Sequence, residues 1–368
     1  MRGSVEESFS IRDAIREAPV YTRCLVLTSG RAADGPYGID RLSQFGYDLM
    51  EVEPARTRVH RKLRDVVEHR SGRPMDKTLR SVRKAWRSDL VLAFLEKEAL
   101  SASWAKRRGM MPYAGRPLVM IACWLADELQ RMSPAQRTAV VTSYSGVDLI
   151  LVLSRNQVEI LVEAGFDAAR IEAVTFGYDP GQFPVSNDAR RYGIVSVGAD
   201  RGRDFGTLIA AMNGSGLSLD LYTGGGHVQR ETLPPEVKFH GRVPFAEYRQ
   251  LMATASVVTI PTHVQAYPTG QTVALEAAGT GACLVLTDTP AMREYFTDET
   301  AVFVQPGDVE GWRDALTTLD ADPVRRRQLG RNAAALVSER FTYDEMWCQV
   351  DAAIRRRGWA RPGTGAAA

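Results

Sequence analysis

Cysteine is scarce, with four in 368 residues, and no two stand at the spacing of a C-x-x-C pair. Cys24, Cys123, Cys283 and Cys348 thus offer no zinc framework, and the apolar neighbours of the first three read as buried thiols in a reducing cytoplasm. No metal site is expected. Long hydrophobic runs are missing too: the longest, Leu118 to Ala126, has nine residues, against the ~20 a membrane-spanning helix needs. Charge of one sign is also lacking. Lys and Arg total 46 against 44 Asp and Glu, so bulk nucleic-acid binding has no support and no nucleic-acid partner is expected. Met1-Arg2-Gly3-Ser4 leads into a charged, helix-prone stretch with no apolar signal region, so the expectation is a cytoplasmic protein. No short-period repeat is visible, which excludes a solenoid.

What is present is a globular composition, 45% apolar and 24% charged, long enough for two cores at ~150 residues each. Short β-rich apolar runs alternate with helical patterns, the mark of parallel sheets covered by helices. Strands are expected at 23–27, 47–52, 90–94, 118–122 and 149–153, then at 192–197, 218–222, 237–240, 257–260, 283–287 and 301–304. A Pro/Ser/Asn/Asp/Arg segment at 184–191 divides them. The expected domains are therefore residues 1–187 and 188–340. A helix at 341–357 would pack back toward the first domain, and 358–368 would be a disordered tail.

Between Arg56 and Arg87, twelve Lys/Arg face three acids. Val59, Leu63, Val66 and Val67 share a helical face, and Leu79 and Val82 suggest a second amphipathic turn. The bland account is the wet face of a sheet-covering helix. The functional accounts are peripheral docking on an anionic membrane or gripping an anionic acceptor.

In parallel α/β sheets, ligands bind beyond the carboxyl ends of the strands, so residues that directly follow strands are the informative ones. After 192–197 comes Gly198-Ala199-Asp200-Arg201-Gly202-Arg203, whose two arginines suit a departing diphosphate. After 257–260 comes Pro261-Thr262-His263, then Tyr267-Pro268-Thr269-Gly270-Gln271-Thr272, opening a helix that carries Glu276. A glycine-bearing helix N-terminus offers free N–H groups and a favourable dipole to phosphate, and a carboxylate one turn in can accept from ribose hydroxyls. Gly224-Gly225-Gly226 lacks the Lys-Ser/Thr sequel of a Walker loop, and Asp320-Ala321-Asp322 falls between helices, so both read as turns.

Four segments taken in order resemble the GT-B-fold glycosyltransferases of the retaining family 4 type, over roughly residues 20–350. They are Arg170-Ile-Glu-Ala-Val-Thr-Phe-Gly-Tyr-Asp-Pro-Gly-Gln-Phe183, Ser196-Val-Gly198 with Arg203-Asp204, Phe239-His-Gly-Arg-Val243, and Leu275-Glu-Ala-Ala-Gly-Thr-Gly-Ala-Cys-Leu-Val285. The resemblance implies two facing Rossmann-like domains and transfer of a sugar from a nucleotide-diphosphate-sugar, linked to UDP, GDP or dTDP, to an acceptor hydroxyl. It implies retention of configuration, no metal and no separate cofactor. Arg203, Arg201 and Glu276 would be catalytic, while Gly198, Arg242, Val243, Thr262, His263, Gly270, Gln271 and Thr272 would hold the donor. Gly35, Gly38 and Asp127 would lie on the acceptor side, for a small-molecule or glycan acceptor. The sequence departs from the family where a sugar-facing Glu is usual, at Pro268, and where an Arg is usual, at Ala199. A non-catalytic nucleotide-sugar-binding subunit and a GT-B epimerase or phosphorylase are the alternatives.

Overall fold

The computed structural model describes residues 21–28, 37–52, 57, 62, 64–66, 68–69, 74–186, 191–224, 226 and 228–361. Gly35, Arg56 and residues 362–368 lie outside that set, as do Leu63 and Val67.

Two six-stranded, wholly parallel sheets organise the chain. The first holds β1 (Thr22–Leu27), β2 (Tyr47–Glu51), β3 (Leu90–Phe94), β4 (Leu118–Ala122), β5 (Leu149–Val152) and β6 (Ile171–Ala173), in the order β2-β1-β3-β4-β5-β6. The second holds β7 (Tyr192–Val197), β8 (Leu219–Tyr222), β9 (Val237–Phe239), β10 (Ala255–Ile260), β11 (Cys283–Thr287) and β12 (Val302–Val304), in the order β12-β11-β10-β7-β8-β9. Strands β3, β4, β5 and β11 are buried at every position, because helices cover both faces of a parallel sheet. The sequence reading missed β6, whose three residues lie near the start of the Arg170–Phe183 segment.

Helices α1 (Met75–Arg80), α2 (Val82–Arg87), α3 (Glu96–Arg107), α4 (Leu125–Gln130), α5 (Pro134–Tyr144) and α6 (Asn156–Glu163) dress the first sheet, with a 3₁₀ helix at Ile39–Phe45. Helices α7 (Phe205–Met212), α8 (Phe245–Thr254), α9 (Gln271–Gly279), α10 (Pro290–Arg293), α11 (Val309–Ala321) and α12 (Pro323–Arg340) dress the second. Local chemistry sets their starts. Asp204, Thr289, Asp308, Asp322 and Thr342 each accept a first-turn N–H, and Ser133 with Gln136 forms a reciprocal capping box.

Helix α13 (Tyr343–Arg356) follows the second sheet in sequence but returns to the first. Trp347, fully buried, donates from Nε1 to the Tyr37 carbonyl at 2.8 Å, and the Tyr47 hydroxyl donates to Asp351 at 2.8 Å. The two chain crossings are clamped together: Tyr178 N–H donates to the Phe341 carbonyl and Tyr343 N–H to the Tyr178 carbonyl, both at 2.9 Å. Gly177 is required there, since a Cβ would lie 2.3 Å from the Thr342 carbonyl oxygen. The expected disordered tail needs correcting at 358–361. Trp359 packs on the core, and Arg361 binds the Asp89 carboxylate at 2.8 Å and the Thr22 hydroxyl at 2.8 Å. Among the described residues no helix is long and apolar enough to cross a membrane.

Candidate active site

In the second sheet the strand order reverses between β7 and β10, and a ligand crevice is expected outside the carboxyl ends of that pair. Their following loops meet there. Arg203 and Thr262 form an antiparallel bridge, and His263 N–H donates to the Gly202 carbonyl at 2.9 Å. Facing them across the cleft are residues that follow β3, β4 and β5. Together they enclose a cavity of about 240 Å³ lined by Gly198–Asp200, Arg203, Tyr267, Pro268 and 270–273 on one side, and by Tyr37, Phe94, Cys123, Trp124 and Phe176 on the other.

The floor of this cavity carries a cation. Arg203 is 5% exposed, and its guanidinium lies between two glycines: a Cβ on Gly198 or on Gly270 would come 2.9 Å or 3.0 Å from Nη1. Nη2 donates to the Thr259 carbonyl at 3.3 Å and the Ser196 hydroxyl at 3.4 Å, while Nε and Nη1 have no partner. Burial without a carboxylate partner pulls its pKa down to about 10. A buried cation with two unfilled donors is costly by itself and well suited to an anion.

Helix α9 points its N-terminus into the same cavity. Gly270, at φ 78, is its N-cap and supplies no side-chain acceptor; the Gln271 N–H turns back to the Pro268 carbonyl at 3.0 Å, which leaves the Thr272 and Val273 amides without a cap. Gln271 is buried with Oε1 unpartnered. One turn in, Glu276 is 7% exposed and accepts from the Tyr248 hydroxyl. Desolvation pushes its pKa up to about 7, against the pull of that bond.

The other sequence candidates separate in space. Arg201, expected beside Arg203 on a diphosphate, instead reaches across the cleft to Glu128 at 3.2 Å and Asp127 at 3.8 Å. Asp127, expected on the acceptor side, is 2% exposed and is held by Arg131 at 3.1 Å and the Ala266 N–H at 3.4 Å, so it joins domains rather than lining the cavity. Gly38 is buried against the Tyr343 ring, 2.7 Å from where its Cβ would be, and does not line the cavity either. His263 is exposed and turned toward Asp204, 3.7 Å away, and is not among the residues lining the cavity. Thr262 is buried, with its N–H on the Thr287 hydroxyl at 2.8 Å. Arg242 covers Gly224 beyond the end of β8, and Val243 packs on the core beside it. Thr272 lines the cavity with Gln271.

Three features escaped the sequence reading. Asp200 lines the cavity, its Oδ1 accepting from the Tyr267 hydroxyl at 2.5 Å and the Gly202 N–H at 2.7 Å. Tyr37 stacks on Phe94 at 4.4 Å and meets Phe176 edge-on at 6.0 Å, forming an aromatic wall. Glu96, 7% exposed, accepts the N–H groups of Cys123, Trp124 and Leu125 and so fixes the loop after β4. Trp124 Nε1 is left buried and unpartnered beside the cavity. Asp200 and Tyr267 stand within the post-strand loops, so position alone could have flagged them. A second cavity, about 250 Å³, opens between Arg191, Arg326, Arg327 and Arg331, but Arg191 and Arg326 are committed to backbone carbonyls there.

HepE of Anabaena, in a crystal structure with UDP and glucose, superposes with a TM-score of 0.69 over 91% of this chain and 100% of its own, at 17% identity. The fold is GT-B. Sucrose-phosphate synthase of Thermosynechococcus elongatus gives 0.70 over 92% and 99%, at 17% identity, and a glycosyltransferase of Rickettsia africae gives 0.62 over 91% and 98%, at 11%. Residues 207–351 match the glycosyl transferase-like family. No curated protein matches the chain significantly in sequence.

Proposed function

We propose that this GT-B protein is a glycosyltransferase that moves a sugar from a nucleotide-diphosphate-sugar to an acceptor hydroxyl. The observation that carries the reading is Arg203: a buried guanidinium with two open donors, beneath an uncapped helix N-terminus, at the reversal point of a parallel sheet. Arg203 and the amides of Thr272 and Val273 bind the diphosphate and stabilise the charge that grows on it as the glycosidic bond breaks. Glu276, held by Tyr248, accepts from the ribose, and Arg242 lies by the base. With Pro268 in place of a carboxylate, Asp200 supplies the acid on the sugar side, steadied by Tyr267.

The first-domain wall of the cavity is mostly aromatic and aliphatic, its polar side-chain groups being the Tyr37 hydroxyl, the Cys123 thiol and Trp124 Nε1, with no carboxylate or imidazole to act as a base. Desolvation holds the Cys123 thiol far above its usual pKa, so it is no nucleophile. That suits front-face displacement with retention, where the departing diphosphate itself takes the acceptor proton. It also suits an acceptor whose hydroxyl is carried on an apolar or aromatic body. The similarity to HepE, whose structure holds UDP and glucose, makes UDP-sugars the first donors to try.

The deciding experiment is a thermal-shift panel of UDP, GDP, dTDP and their glucose conjugates, on the natural chain and on Arg203→Met. A ligand present at a hundred times its Kd stabilises by ~2.7 kcal/mol. One family of nucleotides raising Tm in the natural chain, and failing to in Arg203→Met, is the expected result. No shift with any of them refutes the reading.

A further inference from the structure

We infer that the first domain docks peripherally on an anionic bilayer, through α1, α2 and the loop at 108–116. The surface there has one sign. From residue 74 to 116 every exposed charged side chain is Lys or Arg: Arg80, Arg83, Lys84, Arg87, Lys97, Arg107 and Arg108. The acids of that stretch are drawn inward. Asp76 holds Arg80 at 2.9 Å, Asp89 holds Arg23 and Arg361, Glu96 caps α4, and Glu98 holds Lys77 at 3.1 Å. Arg83, Arg87 and Arg107 have no ion-pair partner among the described residues.

Within this cationic field stand four large apolar side chains left to solvent: Leu79 (55% exposed), Trp86 (53%), Met110 (45%) and Met111 (53%). They belong to adjoining segments. The Tyr113 hydroxyl donates to the Thr78 carbonyl at 2.6 Å and meets the Ser81 hydroxyl at 2.7 Å, and Arg116 donates to the Trp86 carbonyl at 3.2 Å. An indole with flexible aliphatic neighbours, rimmed by cations, matches the boundary between headgroups and acyl chains. No helix among the described residues spans a bilayer, so attachment is by surface contact. Trp86 and the 108–116 loop lie by the amino ends of β3 and β4, away from the cleft, while Lys77 at the start of α1 donates to the Thr28 carbonyl beyond the carboxyl end of β1, so the patch runs along the flank of the first domain.

The test is cosedimentation of the full chain with phosphatidylserine–phosphatidylcholine vesicles and with phosphatidylcholine alone, at low and high salt. Binding to the anionic vesicles only, weakened by salt, is expected. Arg83→Ala with Arg87→Ala should lower the partition coefficient about 25-fold, about fivefold per cation removed, with nucleotide binding unchanged. Brominated acyl chains should quench fluorescence of the natural chain, and Trp86→Phe should lose that quenching. No anionic-vesicle binding at low salt overturns the proposal. So does binding that survives the double substitution, or binding in which Trp86→Phe retains full quenching. Binding of the same patch to a nucleic-acid duplex in preference to vesicles would also overturn it. None of these results depends on the glycosyltransferase reading.

Discussion

Two buried ionisable side chains carry opposite costs into the folded state, and both costs are recoverable on binding. Arg203 keeps a cation out of water with two donors open, so its removal should not harm the empty fold. Arg203→Ala is expected to keep or raise Tm while lowering kcat by about 10²–10³, more than it weakens donor binding, because its interaction strengthens as the diphosphate departs. Steady-state kinetics beside donor titration checks this; a loss confined to KM would contradict it. Glu276 has a pKa near 7 when folded and near 4.5 unfolded, so its contribution to stability is present below about 4.5 and lost as pH rises through 7. Glu276→Gln should therefore match the natural chain at pH 4–5 and exceed it by about 2–3 kcal/mol at pH 8, while binding donor less well. Donor affinity of the natural chain should fall below pH 7, by at most about tenfold per unit, since ribose hydroxyls favour the ionised carboxylate. Denaturation and calorimetry across pH read both effects. Because the leaving charge is assigned to Arg203 and helix amides, turnover should survive EDTA; loss restored by Mg²⁺ or Mn²⁺ would reverse that assignment.

At the scale of the element, α9 depends on one backbone position. A Cβ at Gly270 would lie 2.5 Å from Ile260 and 3.0 Å from Arg203, at φ 78. Gly270→Ala should cost about 2–4 kcal/mol and displace the Arg203 guanidinium; circular dichroism melts and nucleotide titration measure the two losses, and an unperturbed titration would separate α9 from the donor. This element was legible in the sequence because its cues are local. The strand before it is a short apolar run, the glycine marks the turn, and a parallel sheet obliges the loop to face the ligand. What escaped involves pairing across long separations. Arg201 meets Glu128 at a sequence distance of 73 and Tyr248 meets Glu276 at 28, and neither partner announces the other. Arg201 in a glycine loop reads as a phosphate ligand until the opposite wall, with its two acids, is in place. Likewise Gly35-Pro36-Tyr37-Gly38 reads as an open loop, whereas Gly38 makes room for Tyr343, more than three hundred residues later. The final Trp359 to Arg361 segment failed for the same reason: its composition suggests fraying, whereas Trp359 packs on the core and Arg361 is held by Asp89 and Thr22, far away in sequence.

For the whole molecule, α13 binds the halves together. Trp347 is fully buried against Phe94, ring centroids 6.2 Å apart, and gives its indole N–H to the Tyr37 carbonyl. Trp347→Ala should cost about 3–5 kcal/mol and loosen the aromatic wall that Tyr37 and Phe94 form, so urea midpoint and acceptor KM should worsen together. An unchanged KM in a destabilised variant would detach the wall from the acceptor. The clamp at Tyr178 and Phe341–Tyr343 ties the two chain crossings together, and the halves meet again where Arg201 reaches Glu128 and Asp127 and where the Tyr295 hydroxyl donates to the Leu153 carbonyl at 2.7 Å. The position of α13 in the chain also bears on biosynthesis. The first sheet leaves the ribosome early, yet the helix that seals its aromatic face is encoded after the whole second sheet. A nascent chain must therefore carry Tyr37, Phe94 and Phe176 uncovered while some 150 further residues emerge, and the first half should engage chaperones until its distant last helix arrives.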